Sequence, residues 1–445
     1  MGLKSLVFSP PLTWTGPQQA QGRVLRMDRL DLLYIEVEDV SSSVFADPFQ
    51  FTIRSNDESQ CTFSGHTLQR EGAQLTIQLV PEDVPRFQSL IGQLRKSEHL
   101  DFCQREDVEA SDRFTGFEAF SFIPYALSGL SLHQVNTEVS FLGHRFASPF
   151  LITGMTGGVA QGHEINRRLA QAACTHNIPM GIGSQRVALE DPSCRSVFQL
   201  KTEHPNLFLI GNLGVAQLLQ PQGVAWCQQA VDMVGADALA LHLNVMQECI
   251  QPEGDRSFLG VLDKIAEVCA RLSVPVLVKE VGSGLDLESA TQLLAAGVAA
   301  LDVGGRGGTS WPYIEGLRSQ DSLRQELSRV FRDWGIPTAY SLHTLRQALP
   351  PEVPLVATGG IRSGLTAAKA IALGANMVGV GLPLMQAALE SAERVEAVLA
   401  SLLDGLKITM LATGSATLPQ LAHRLSLGHP YEVQVRYHFT LPRDP

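Results

Sequence analysis

From about residue 149 onward the chain repeats one rhythm, a short apolar run closed by glycine or a polar residue and then an Ala/Leu-rich amphipathic stretch. The runs are 150–156, 180–184, 207–212, 238–243, 276–279, 300–303, 354–358 and 377–381. Amphipathic stretches lie between most of them, at 164–176, 216–234, 258–272, 287–296 and 365–373. This is the pattern of βα units around a parallel sheet, and eight strands is the number that closes such a sheet and removes its edges. The rhythm predicts an α/β fold, a (β/α)8 TIM barrel, whose chemistry belongs at the C-terminal ends of the strands.

A barrel takes roughly 250 residues, so a chain of 445 has room for a barrel and an appended module. Stretches 32–38, 49–54 and 74–80 alternate apolar and polar residues with period two, which predicts a small β-rich N-terminal domain over 1–94 ahead of a barrel domain over 95–445. The module holds no cluster of catalytic residue types. A net charge of -11 excludes a protein built to coat nucleic acid or an anionic membrane, so any anion site must be local. The seven cysteines are scattered without a C-x-x-C pair and read as free thiols of a reducing compartment. Residues 1–15 are interrupted by Pro10 and Pro11 and lack the apolar run of a signal peptide. A cytoplasmic location without membrane or nucleic-acid partners follows as the expectation. About fifty residues separate the sixth and seventh runs, a length that marks either a lid or a loop with a surface helix over 317–334.

The run ends carry the residues that could do chemistry. Gly359-Gly360-Ile361-Arg362 and Gly379-Val380-Gly381-Leu382 close the last two, where barrels commonly cradle a phosphate on backbone N–H groups and helix N-termini. Lys279, Asn212, Ser184 and Thr156 end four other runs and can supply the cation and polar contacts that the ring of FMN requires. Glu248 directly follows Gln247, a hard oxygen ligand beside a neutral hydrogen-bonding group, and one carboxylate suits Mg²⁺ shared with a substrate phosphate. Arg95, Lys96 and His99 fall within one turn, enough to clamp a diphosphate, and Arg186 offers a further cation. Taken singly, each has a plainer reading: helix caps for Ser184 and Asn212, a helix-start glutamate for Glu248, a solvated face for Arg95 and Lys96, a hydrogen-bonded core histidine for His242.

The ordered set is specific where its members are not. Arg95-Lys96 with His99, residues 153–158 (TGMTGG), Gly183-Ser184-Gln185-Arg186, His242-Leu243-Asn244 with Gln247-Glu248, Lys279-Glu280-Val281-Gly282, residues 302–309 and Gly359 to Arg362 together resemble the type 2 isopentenyl-diphosphate isomerases, from about residue 95 to about 427. The resemblance implies an FMN-dependent barrel that isomerises isopentenyl diphosphate to dimethylallyl diphosphate, with reduced FMN as acid and base, NADPH as reductant and Mg²⁺ on the diphosphate. It implies Gln247 and His242 as catalytic residues, and substrate contacts from Arg95, Lys96, His99, Ser184, Gln185, Arg186 and Gln247. Glu248 would hold the metal. Gly154, Met155, Thr156, Ser184, Asn212, Lys279, Thr309, Gly360, Ile361, Arg362, Gly381 and Leu382 would line the flavin. It also implies a homo-oligomer, a tetramer or octamer. One departure stands out: the family begins close to its Arg-Lys motif, whereas here 94 residues precede it. Two rival readings are a 2-hydroxy-acid oxidoreductase, which needs a histidine that 302–306 lacks, and a former enzyme turned by its N-terminal module into a ligand-responsive binding protein.

Overall fold

The computed structural model describes residues 5–15, 21–28, 32–37, 48–54, 60–71, 74–155, 157–158, 160–252 and 254–428. Thr156, expected at the flavin, lies outside them.

The N-terminal module is a closed antiparallel barrel of six strands, β1 (Ser5–Thr15), β2 (Gln21–Asp28), β3 (Leu32–Val37), β4 (Phe49–Arg54), β5 (Gln60–Glu71) and β6 (Gln74–Leu79), in the order β1-β2-β3-β6-β5-β4. Period-two reading finds β3, β4 and β6 and misses the other three. In β1 the alternation is broken by Pro10 and Pro11, and these fall in the stretch where its register with β2 shifts between Val7 and Leu12, as prolines in sheets do. The interior is filled by Val24, Leu33, Ile35, Phe49, Phe51, Ile53, Phe63, Leu75, Ile77 and Leu79, a core separate from that of the larger barrel.

A continuous helix, α1 (Val84–Arg105), leads out of this module, and the expected division at 94/95 falls inside it. Three short strands, β7 (Phe120–Phe122) and then the hairpin of β8 (Val139–Phe141) and β9 (His144–Phe146), precede the second barrel. That barrel closes on eight parallel strands: β10 (Phe150–Ile152), β11 (Met180–Gly181), β12 (Leu209–Gly214), β13 (Ala238–Leu243), β14 (Val276–Glu280), β15 (Ala300–Asp302), β16 (Leu355–Ala357) and β17 (Met377–Val380). Each overlaps one of the eight predicted runs. The expected helix over 216–234 is broken into Val215–Leu218 and Gly223–Val234, because Pro221 has no N–H to continue it. The helix expected over 317–334 is likewise two, Trp311–Arg318 and Ser322–Val330, with Asp321 capping the second.

Period-two alternation along the eight strands sorts the barrel into layers. Outward residues such as Leu239, Leu241, Val276, Val278, Leu301 and Leu355 pack under the helices. Inward ones, Leu151, Ile210, Ala238, Ala240, Leu277, Ala300, Val356 and Met377, fill the lower interior, and Phe141 and Phe146 of the β8–β9 hairpin close its floor. Two residues further along, the inward positions of six of the eight strands turn polar, as Thr153, Asn212, His242, Lys279, Asp302 and Thr358. His242 pairs in register with Lys279, and Lys279 with Asp302, so one polar ring lies directly above the apolar plug.

Candidate functional site

Above that ring opens a cavity of about 1110 Å³, its mouth included, built from the C-terminal ends of all eight strands and from the middle of α1. Nearly every residue expected at the site lines it: Arg95, Lys96 and His99 from α1; Gly154 and Met155 after β10; Ser184 and Arg186 after β11; Asn212 on β12; His242, Gln247 and Glu248 on and after β13; Lys279 on β14; Thr309 after β15; Gly360, Ile361 and Arg362 after β16; Gly381 and Leu382 after β17. Gln185 is the exception. It is fully buried below the cavity, its Nε2 donating to the Ala230 carbonyl (2.8 Å) and its Oε1 accepting from Asn212 N–H (2.8 Å). Strand β11 ends at Gly181, so period two does not carry to residue 185, and the amide braces β12 instead of reaching a substrate.

One face of the cavity is cationic. Lys96 is pushed down to about 7 by burial and by the neighbouring Arg95 and Arg186, with Glu315 opposing. Arg186 leans on Glu190 through an Nε–Oε1 bond of 2.8 Å. His99 is lowered to about 4, chiefly by burial, and is neutral at physiological pH. It donates Nε2–H to Glu315 Oε1 at 3.0 Å, and its ring meets Trp311 edge-on at 5.3 Å. The same Glu315 oxygen accepts from Gln247 Nε2 at 2.7 Å, while Oε2 takes Arg318 Nη1 at 2.5 Å. Arg318 and His99 hold the Glu315 carboxyl well below the usual carboxylate range although burial opposes them. Glu315 is completely buried, and no feature of its local sequence marks it. Only the fold brings it to partners 216 and 68 positions away.

The floor is built by β12, β13, β14 and β15. Asn212 Oδ1 accepts from His242 Nδ1 at 2.8 Å, which leaves Nε2 of this imidazole without a proton; burial, with Lys279 and Lys96 nearby, lowers its pKa to about 3. Lys279 Nζ donates to the Glu280 carbonyl at 2.8 Å; burial lowers its pKa, while Asp302 and the Glu280 carboxylate oppose the fall. Asp302 accepts from Thr358 Oγ1 at 2.5 Å. Glu280, a residue the sequence reading left unassigned, lines the cavity and is raised to about 7 by burial, although its Oε2 accepts from the N–H groups of Val281, Gly282 and Ser283 at 2.6, 2.8 and 2.5 Å.

At the far side the chain approaches itself too closely for side chains. A Cβ on Gly360 (φ +71°) would meet Thr115 Cγ2 at 2.3 Å and the Gly307 carbonyl at 2.6 Å, and one on Gly359 (φ +109°) would stand 2.0 Å from the Gly305 carbonyl. The helix Leu382–Glu390 starts at Gly381 with no side-chain cap; Pro383 lacks an N–H and Leu384 N–H donates to the Gly381 carbonyl at 3.1 Å, so the Leu382 N–H is what this helix start offers an anion. Thr153 Oγ1, buried on the rim, has no hydrogen-bond partner. Glycine loops, an uncapped helix start, an unpartnered hydroxyl and the Lys279–Asn212 floor together fit a nucleotide-like cofactor with one phosphate, as FMN is.

Among the described residues no three His, Cys, Asp or Glu side chains converge to hold a metal. What is present suits a cation that keeps most of its waters. Glu248 is buried, Oε1 accepting from Asn244 Nδ2 at 2.9 Å and Oε2 from Asp255 N–H at 2.8 Å, and burial raises its pKa. Asn244 Oδ1, buried beside it, has no partner. One carboxylate and a spare amide oxygen at the cavity wall are a hard-oxygen donor set for Mg²⁺ completed by water and phosphate.

Comparison with known proteins places these features. Residues 95–206 and 212–427 match the FMN-dependent dehydrogenase family. An isopentenyl-diphosphate delta-isomerase of Synechococcus sp. is 50% identical over 321 residues, 72% of this chain and 92% of its own. The protein of that name from Nostoc sp. is 43% identical over 335 residues, 75% of this chain and 95% of its own. The one from Pyrococcus furiosus is 41% identical over 336 residues, covering 74% and 84%. A solved mandelate oxidase shares the fold at a TM-score of 0.52 and 20% identity, covering 75% of this chain and 94% of that one.

Proposed function

Since the chain belongs to the FMN-dependent dehydrogenase family, on the branch of the isopentenyl-diphosphate delta-isomerases, we propose that it converts isopentenyl diphosphate into dimethylallyl diphosphate. The observation that carries this reading is the opposition of two walls in one cavity. Arg95, Lys96 and Arg186, with neutral His99, line it together with Gln247 and Glu248, over a floor of Asn212, His242 and Lys279. A diphosphate on the cationic wall leaves its alkene above the floor, and holding it there supplies the orientational part of the rate.

Reduced FMN, when bound, supplies an acid and a base at N5, so that one proton added to the terminal alkene carbon and one removed from the allylic carbon give an isomer without net redox. NADPH is the reductant class that would prepare it. Lys279 would hold negative charge on the ring, and the loops at Gly359, Gly360 and Gly381 its phosphate. Mg²⁺ would be held by Glu248 and neutralise the diphosphate. Gln247, fixed by Glu315, keeps a neutral amide over the reacting carbons, where a charged group would attract water. His242, its Nδ1–H committed to Asn212, offers Nε2 only as an acceptor.

A homo-oligomer, tetramer or octamer, in the cytoplasm accompanies this reading. No described helix is long and apolar enough to cross a membrane. The test is direct: purify the protein, record its absorption spectrum, reduce it anaerobically and add isopentenyl diphosphate with Mg²⁺. A yellow protein that forms dimethylallyl diphosphate only after reduction is expected. Colourless protein that refuses FMN, or reduced holoprotein that leaves the substrate unchanged, overturns the proposal.

A further inference from the structure

Helix α1 belongs to two cores at once. Phe87, Leu90, Ile91 and Leu94, spaced i, i+3, i+4 and i+7, pack into the six-stranded barrel, while Leu100 and Cys103 enter the core of the large one. Between these two anchors stand Arg95, Lys96 and His99, the α1 residues that line the cavity. The first anchor is specific. The Phe87 ring meets Phe63 edge-on at 5.2 Å, and Asp83, at the start of the helix, accepts from the Ser64 N–H on β5 at 2.6 Å. On the cavity side the helix touches the large barrel through polar contacts, Gln93 Nε2 to Cys194 Sγ at 3.2 Å and Glu98 to Arg318 at 2.7 Å.

We infer that the six-stranded barrel is a positioning domain for substrate: by fixing the N-terminal turns of α1 it sets where the Arg95/Lys96/His99 clamp stands over the cavity, with Leu90 and Leu94 as positioning residues. The small barrel's core is filled with side chains, Phe87, Leu90 and Ile91 of α1 among them, which leaves its packing against α1 as the route by which it acts. The apolar contact runs to Leu94, one residue before the first clamp cation, so a shift of this helix against the small barrel moves the clamp with it.

The inference rests on the isomerase reading, and its test separates the two. Leu94→Ala and Leu90→Ala remove apolar contact to the small barrel without lowering helix propensity. In the full-length FMN-loaded protein with Mg²⁺, calorimetric titration with inorganic pyrophosphate should give a Kd raised about tenfold, with the KM for isopentenyl diphosphate rising in parallel. FMN affinity and kcat should stay as in the parent, and Leu94→Met should restore the parent Kd. Pyrophosphate binding that is unchanged in Leu94→Ala, while amide exchange shows the small barrel loosened, overturns the inference alone. A parent holoprotein that binds neither pyrophosphate nor substrate overturns the isomerase reading and this inference together.

Discussion

Glu315 ties three side chains to one carboxylate, and its removal should be felt at each. Glu315→Gln takes one of two carboxylate partners from the 6%-exposed Arg318 side chain, which keeps Glu98 at 2.7 Å, so the cost should stay below the about 3 kcal/mol of an uncompensated buried charge and be measurable as a lower urea midpoint. Because its folded pKa is depressed, the stabilisation it contributes is present above the ordinary carboxylate range and lost as pH falls. Gln247→Ala and Glu248→Ala should instead leave folded, yellow protein whose turnover drops roughly 100-fold or more; retention of full turnover would remove both from the reaction. Lys96 predicts a pH effect of definite sign. It is a cation below about 7 in the unliganded protein, so kcat/KM for the diphosphate should fall as pH rises through that value. Lys96→Arg keeps its charge and should lose that descending limb. At this scale the sequence was informative wherever a residue stands near the C-terminal end of a strand, as Asn212, His242 and Lys279 do. It was silent on Glu315, whose partners come from other elements, and misleading on Gln185, whose strand is only two residues long.

Elements explain why the loops matter as pairs. The loops after β15 and β16 interlock, Gly305 N–H donating to the Thr358 carbonyl at 2.8 Å and a Cβ on Gly308 reaching Gly360 N at 2.6 Å. Segment 106–116 straps them down: Ala110 N–H donates to the Gly308 carbonyl and Ser310 N–H to that of Val108. Gly360→Ala would force a left-handed φ on a side chain pressed against Thr115 and the Gly307 carbonyl, costing more than about 1 kcal/mol and opening the cradle. Flavin fluorescence should report weaker FMN binding in this variant, and an unchanged affinity would separate these glycines from the phosphate. The glycine pairs were legible as turns. That Thr115 seals them was not, because nothing in the strap's composition names its target.

Across the whole molecule, the two barrels have separate cores joined by α1. FMN bound to the folded state at about 100 times its Kd should add ~2.7 kcal/mol to stability, read as a rise in melting temperature that disappears when the cofactor is stripped. A melting point indifferent to FMN would place the flavin elsewhere or nowhere.

The strand rhythm, the closure at eight and the polar character of the strand tips were written in local order, since side-chain alternation and breaker residues act over a few positions. Three of the six N-terminal strands, the length of α1, the burial of Glu315 and the turning-away of Gln185 arose only when distant segments met. Their positions answer to packing and to hydrogen bonds across as many as 283 residues, which no window along the chain can contain.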